Sequence, residues 1–173
     1  VVADPEAVES VLDLCTGSGC LAILAAFAFP NARVDAVDIS PEALEVAQRN
    51  VADYGLADRV SLHRSDLFAG LGGRTYDLIL SNPPYVTAAA VAAFPPEYSA
   101  EPQLAHLGGA DGLDLVRRIL ADAAVHLDTE GMLVVEVGRA RDALETEYPD
   151  LPFLWLDTEQ SEGELFALPA AAL

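Results

Sequence analysis

One short turn constrains the fold of this chain more than any other stretch. Asp13-Leu14-Cys15-Thr16-Gly17-Ser18-Gly19-Cys20 joins a brief apolar run, Val11 to Leu14, to a longer one, Leu21 to Phe29, that Pro30-Asn31 stops. The first run reads as a buried strand and the second as a helix, with two glycines between them that let the backbone take conformations other residues avoid. A strand that passes into a helix through such a turn opens a parallel βαβ unit, whose first loop is where open sheets receive nucleotides.

The alternation continues along the chain. Arg33 to Asp38 reads as a second strand. Ser40-Pro41 is an N-cap followed by proline at the first helical position, and Leu44, Ala47 and Val51 space an apolar face before Gly55 ends that helix. Val60 to His63 and Tyr76 to Leu80 are strands three and four. Leu113, Val116, Leu120, Ala123 and Leu127 mark a long amphipathic helix with Arg117, Arg118 and Asp122 on its wetter side. Met132 to Val137 is a fifth strand, and Ala140 to Glu147 a short helix. Phe153 to Leu156 and Glu164 to Leu168 are expected to pair as an antiparallel hairpin across the glycine-containing link from Gln160 to Gly163. This predicts an α/β fold with a mostly parallel sheet and helices on both faces. From Val86 to Gly112 the chain is rich in Pro, Gly and Ala without a clear period, as functional lids and partly ordered loops usually are.

With 173 residues, 52% of them hydrophobic, the chain supports one core and is expected to form one domain over 1–173. It starts at Val1 rather than Met, with a strand already due by Val11, so we expect a piece of a longer protein. Its longest apolar stretch is far below the roughly 18 residues a membrane span needs, so no membrane partner is expected. Two cysteines beside one turn make no disulfide framework and favour a reducing, cytoplasmic setting. The formal charge is −19, and every basic residue is Arg. Counterion-release binding needs clustered cations, so direct nucleic-acid binding is not expected of this domain. The charge suits a basic protein partner, and equally suits solubility or a salty cytoplasm.

The turn itself supplies a cofactor site: Asp13, Cys15, Thr16, Gly17, Ser18 and Gly19. Asp38 ends the second strand, where its carboxylate can accept from both ribose hydroxyls, with Ile39 beside it. These features alone fit either NAD or S-adenosylmethionine, but the third glycine of a dinucleotide fingerprint is replaced by Ala22, and a cofactor without pyrophosphate needs less from that turn. Asp66, Leu67 and Phe68 follow the third strand, placed to bound an adenine: the carboxylate can take the exocyclic amine and the apolar pair can cover the ring. The competing reading of Asp66 is a helix cap or turn.

Asn82-Pro83-Pro84-Tyr85 breaks the fourth strand abruptly. Two prolines fix two φ angles and push Asn82 into the extended region, and neither prolyl nitrogen donates. A planar nitrogen conjugated to a carbonyl or ring is a weak nucleophile whose N–H groups gain positive charge as it attacks a sulfonium methyl. The Asn82 side-chain oxygen and the Pro83 carbonyl would accept those hydrogens, with the logic of an oxyanion hole in reversed sign. Tyr85 can stack on the flat acceptor. The catalytic candidates are therefore Asn82, Pro83, Pro84 and Tyr85, with Asn82 also bordering the cofactor.

At this point the residues resemble class I S-adenosylmethionine-dependent methyltransferases that modify the glutamine side-chain amide nitrogen (N5) in proteins. The tetrad is shared with enzymes that methylate adenine N6 in DNA or guanine N2 in RNA, and specifies only a planar nitrogen. The sharper likeness is Glu97-Tyr98-Ser99-Ala100-Glu101-Pro102-Gln103-Leu104-Ala105, followed by Gly108-Gly109-Ala110-Asp111-Gly112-Leu113-Asp114. The resemblance implies a Rossmann-like seven-stranded sheet, S-adenosyl-L-methionine as cofactor, and a separate N-terminal helical domain, absent from this chain, that helps recognise the substrate. Two branches modify either the third protein of the large ribosomal subunit or the Gly-Gly-Gln glutamine of peptide-chain release factors. Cys15 within the glycine turn, the run from Val34 to Ser40 and Pro95-Pro96-Glu97-Tyr98 are more similar to the ribosomal branch. The release-factor branch usually has Gly at position 15, and often an aromatic residue where Leu67 stands.

Other polar residues read as structural. His63, His106 and His126 are scattered, which suggests no metal site. Cys15 and Cys20 suit a tight turn as small residues. Asp13 could reach the methionine amine through the loop backbone, and Glu136, at the end of the fifth strand, could face the pocket or bond a neighbouring loop. Trp155 reads as core or subunit contact.

Overall fold

The computed structural model describes residues 2–84, 111–157 and 162–173. Its centre is a seven-stranded sheet: β1 (Ser10–Leu14), β2 (Arg33–Asp38), β3 (Val60–Arg64), β4 (Tyr76–Ser81), β5 (Leu127–Glu136), β6 (Leu154–Leu156) and β7 (Leu165–Pro169). They lie in the order β3-β2-β1-β4-β5-β7-β6. The first five pair in parallel, while β7 runs antiparallel to both β5 and β6. The C-terminal pair is thus the expected hairpin, and residues 158–161 of its link lie outside the described residues.

Among the described residues four helices cover the sheet: α1 (Cys20–Ala28), α2 (Pro41–Asp53), α3 (Asp114–Asp122) and α4 (Arg141–Glu147). α1 is rich in Ala and wholly apolar, and it buries Ala22, Ile23, Ala25 and Ala26 against Val11, Val34 and Ala36 of the sheet. α2 starts as the sequence requires: the Ser40 hydroxyl accepts from Ala43 N–H at 3.1 Å, and Pro41 opens the first turn. Gly55, at φ +68°, ends it. On the opposite face α3 and α4 pack Val116, Ile119 and Leu144 onto Leu12, Leu133, Val135 and Phe166. Each of these fully buried apolar side chains contributes about 1.5–3 kcal/mol through its removal from water.

One expected element is corrected. The helix that the apolar spacing carries through Leu127 stops at Asp122, a 3-10 turn spans Ala123–His126, and Leu127 already belongs to β5. Apolar spacing persists across the junction because both the 3-10 turn and the strand face the same core, so periodicity alone does not register the switch. β5 also starts earlier than Met132. Tyr76 pairs with Leu127 but Leu78 pairs with Met132, so the register shifts between the two pairings across residues 128–131 of β5. Gly131 makes this possible, since a Cβ there would lie 2.9 Å from the carbonyl oxygens of Tyr76 and Asp128.

β1 lies between β2 and β4, so strand order reverses there. That switch point places the carboxyl ends of β1 and β4 side by side at the sheet edge where the candidate residues gather.

Candidate active site

The turn after β1 is held from behind and from the side. Asp13 is fully buried (0% exposed), and its Oδ2 accepts from the Thr16 hydroxyl and from Ala22 N–H at 3.0 Å, which ties the start of α1 to the end of β1. Its Oδ1 has no hydrogen-bond partner among the described residues. Burial pushes the Asp13 carboxyl up to about 7 against the pull of Thr16 and Ala22, with the Asp38 charge adding to the rise. Asp13 therefore reaches any ligand only through the loop it braces.

Cys15 has φ +59°, uncommon for a side chain with a Cβ. Burial first, then the charges of Asp38 and Asp13, push its thiol up to about 12, so it stays protonated and packs rather than reacts. Thr16 N–H donates to Val37 O at 2.9 Å and Gly17 N–H to Asp38 Oδ2 at 2.9 Å, locking the turn onto the end of β2. A Cβ on Gly17 (φ +57°) would meet nothing within 4 Å, so backbone faces open space there. One on Gly19 (φ +84°) would sit 3.1 Å from Ala47 Cβ, so that glycine permits α1 and α2 to approach. Asn50 of α2 donates to Ser18 O at 2.8 Å. The Ser18 hydroxyl lies 3.2 Å from Cys20 Sγ.

Asp38 is half-buried, with Oδ1 taking Ser40 N–H at 2.9 Å and Oδ2 taking Gly17 N–H. Each oxygen keeps a lone pair, so the carboxylate can still accept a pair of hydroxyls while it braces two loops. Next to it Ile39 is 49% exposed, an apolar shelf beside that acceptor.

At the end of β3, Asp66 leads a 3-10 turn (Leu67–Gly70) but makes no side-chain cap bond, so the helix-cap reading fails and its half-exposed carboxylate faces outward from the turn. Arg118 Nη2 of α3 reaches Asp66 Oδ1 at 2.9 Å. The expected ring-covering role of Leu67 and Phe68 is corrected. Both side chains turn into the core, at 5% and 6% exposed, and Phe68 stacks on His126 with ring centroids 4.6 Å apart. An aromatic face already paired inside the core is closed to a ligand, whereas Ile39, next to Asp38, is an exposed apolar side chain among the described residues.

At the end of β4 the Ser81 hydroxyl donates to Leu14 O at 3.0 Å and binds the ends of β1 and β4 together. Asn82 follows, exposed, with Pro83 buried and Pro84 half-buried. A buried proline behind an exposed amide side chain gives the rigid mount the dipeptide implies. Tyr85 and the segment from Glu97 to Ala110 lie outside the described residues. The structure thus gathers Cys15 to Gly19, Asp38, Ile39, Asp66 and Asn82 at one sheet edge. Sequence reasoning missed Ser81, Asn50 and Arg118; only Ser81, a hydroxyl ending an apolar strand, carried a local signal.

The arrangement suits a ligand that donates hydrogen bonds or carries positive charge, because Asp38 and Asp66 both present carboxylates at this edge. Among the described residues no three His, Cys, Asp or Glu gather as a metal site. His63 instead pairs with Asp35 at 2.9 Å, and His126 Nδ1 lies 2.9 Å from Arg74 O. Trp155 packs partly buried beside Phe166 and donates to Glu145 Oε1 at 2.7 Å, and Glu136 ends β5 half-buried. No described helix is long and apolar enough to cross a membrane.

Residues 2–94 match the family model of the methyltransferase small domain. The chain is 64% identical over 173 residues to the ribosomal protein uL3 glutamine methyltransferase of Bradyrhizobium diazoefficiens, covering 100% of this chain and 54% of that protein. It is 58% identical over 167 residues to the protein of the same name from Bordetella pertussis, covering 96% of this chain and 56% of that one. It therefore spans about half the length of the curated relatives it matches. A methyltransferase from Pyrococcus furiosus shares the fold, with a TM-score of 0.67 at 20% identity over 96% of this chain and 77% of that one.

Proposed function

The chain belongs to the methyltransferase small domain family, and from that premise we propose that it transfers a methyl group from S-adenosyl-L-methionine to the N5 amide nitrogen of a glutamine in ribosomal protein uL3. The acceptor rests on one observation, the identity of 64% with a relative of that name across the whole of this chain. The full-length protein is the active unit in this reading.

S-adenosyl-L-methionine supplies an electrophilic methyl on a sulfonium sulfur and leaves as S-adenosyl-L-homocysteine. Asp38 accepts the ribose hydroxyls with the lone pairs that Gly17 and Ser40 leave it, Ile39 supports the adenine ring, and Asp66 accepts its exocyclic amine. The turn from Cys15 to Gly19 passes its backbone along the ligand, and the carboxylate-rich edge favours a cation. Asn82 and the Pro83 carbonyl hold the two amide hydrogens of the glutamine, aiming the nitrogen lone pair at the methyl. As the N–C bond forms and the C–S bond breaks, the nitrogen becomes positive. Those oxygens stabilise that charge until one proton leaves for water, so no base is needed beforehand. Tyr85 remains the candidate to stack on the amide plane, on its sequence position alone. A charge of −19 favours encounter with a basic ribosomal protein, and such a substrate places the enzyme in the cytoplasm.

Incubating the full-length protein with labelled S-adenosyl-L-methionine and uL3, release factors or ribosomal RNA, side by side, tests this reading. Label on a single uL3 glutamine is expected. Label on the Gly-Gly-Gln glutamine alone, or on RNA alone, would sink the uL3 assignment.

A further inference from the structure

Arg117 and Arg118 leave α3 one residue apart and so point to different neighbours. Arg117 binds Asp111, Asp114 and Glu147, an ion-pair hub that joins α3 to α4. Arg118 crosses instead to the end of β3 and takes Asp66 Oδ1 at 2.9 Å, the two side chains being 49% and 50% exposed.

The backbone under Asp66 is already fixed. The Ser65 hydroxyl donates to Leu67 O at 2.7 Å and accepts from Gly70 N–H at 2.8 Å. A Cβ on Gly70 would lie 3.0 Å from Ser65 Oγ, so the turn is closed around that serine. Leu67 is held at φ +48°. What remains free is the Asp66 carboxylate, which caps nothing. A half-exposed carboxylate without a partner would sample several rotamers and present either oxygen to water. A guanidinium on Oδ1 removes that freedom and leaves Oδ2 for a second donor.

We infer that Arg118 is a positioning residue that gives the site its preference for a 6-amino purine, by pinning Asp66 through Oδ1 so that Oδ2 is kept for the exocyclic amine. This rests on the reading of Asp66 given above. Arg118 acts through Asp66, so its loss should be felt only by ligands that carry the amine.

The test is calorimetric binding of S-adenosyl-L-homocysteine and of its 6-deamino analogue to this chain and to Arg118→Met, with Arg118→Gln as a second variant and thermal melts to confirm folding. An exposed ion pair contributes little to stability, so both variants should fold. The unmodified chain should prefer the amino ligand by about tenfold, the range of one charge-assisted hydrogen bond. Both Arg118 variants should reduce that preference to about twofold while binding the deamino analogue as before. Equal weakening of both ligands would show that Arg118 supports the ring or the fold and would overturn the inference, as would an unchanged preference. Asp66→Ala separates this from the underlying reading. If it keeps the preference, Asp66 is not the acceptor and both fall. If it loses the preference and the Arg118 variants do not, the role of Arg118 alone is refuted.

Discussion

Asp77 and Asp38 stand at opposite ends of the same sheet and are used in opposite ways. Near the start of β4, Asp77 Oδ2 accepts from Glu9 N–H at 2.8 Å, Ser10 N–H at 2.9 Å and the Ser10 hydroxyl at 3.0 Å, and Asp77 N–H is returned to that same hydroxyl. Close by, Asp35 is ringed by His63, Arg74 and Tyr76, each within 2.9 Å. At the other end Asp38 spreads one backbone donor over each oxygen, Asp66 is half-exposed, and Asp13 keeps an oxygen with no partner among the described residues. Cys15 and Leu67, the non-glycine residues with positive φ among those described, both lie at this end. One end closes its charges on itself, while the other leaves acceptor capacity and stores strain, as sites that wait for a ligand tend to do.

Substitutions at the two ends should therefore separate activity from stability. Asn82→Ala removes an exposed side chain, so melting and S-adenosyl-L-homocysteine affinity should hold while kcat falls about 100-fold or more, as for loss of one preorganised partner of a developing charge. A parallel loss of cofactor affinity would merge two sites we treat as separate. Asp77→Ala should show the reverse, costing about 2–3 kcal/mol in denaturant unfolding as three donors lose their acceptor, with cofactor affinity unchanged. Asp38→Ala should weaken cofactor binding by about 100-fold and lower stability by about 1–2 kcal/mol, since it also releases Gly17 and Ser40. Should Asp77→Ala weaken the cofactor more than Asp38→Ala does, the contrast between the ends is wrong.

The structural end was the more legible of the two. β2 runs from Arg33 to Asp38 as read from the sequence, the Ser40-Pro41 cap starts α2, and β6 and β7 pair antiparallel as expected, because each depends on local propensity. The 3-10 turn before Leu127 was hidden because a shared core preserves apolar spacing whatever the backbone does. At the candidate site, the placement of Asp38, the glycine turn and Asn82 at strand ends is legible in the sequence. Phe68 misled because an aromatic beside Asp66 is compatible with a ligand or with His126, and that partner is distant in sequence. In the sequence Arg118 occupies a wet helix position, and only the tertiary fold brings it to Asp66 in the turn after β3.

Two buried or bridged carboxyls should give opposite pH limbs. Burial would raise the Asp35 carboxyl, but hydrogen bonds from His63, Tyr76 and Arg74 outweigh it and hold it below its ordinary 3.8. A depressed folded value means that its stabilisation is present above 3.8 and is lost as pH falls through the lower folded value. Asp35→Asn should flatten that acid limb of melting temperature against pH. Asp13 is raised to about 7, so the folded state binds a proton that the unfolded state has released, and stability declines as pH climbs from about 4 to about 7. Asp13→Asn should flatten this second limb and leave the first. If Asp13→Asn leaves the second limb intact, the buried carboxyl is not its source.

The smallest effect should come from Cys15→Gly. A left-handed conformation costs a residue with a Cβ about 1 kcal/mol, which glycine would relieve. Glycine also frees the unfolded chain by about 0.4–1 kcal/mol and removes a packed thiol. These terms oppose each other, so the unfolding free energy should change by less than about 0.5 kcal/mol. A loss above about 2 kcal/mol would mean that the thiol is needed as core packing, and that the strain at position 15 is supported by the interior behind it. No loss would mean that the turn tolerates Cys where the open space before Gly17 asks only for backbone, which leaves the ligand side of the loop untouched by the exchange.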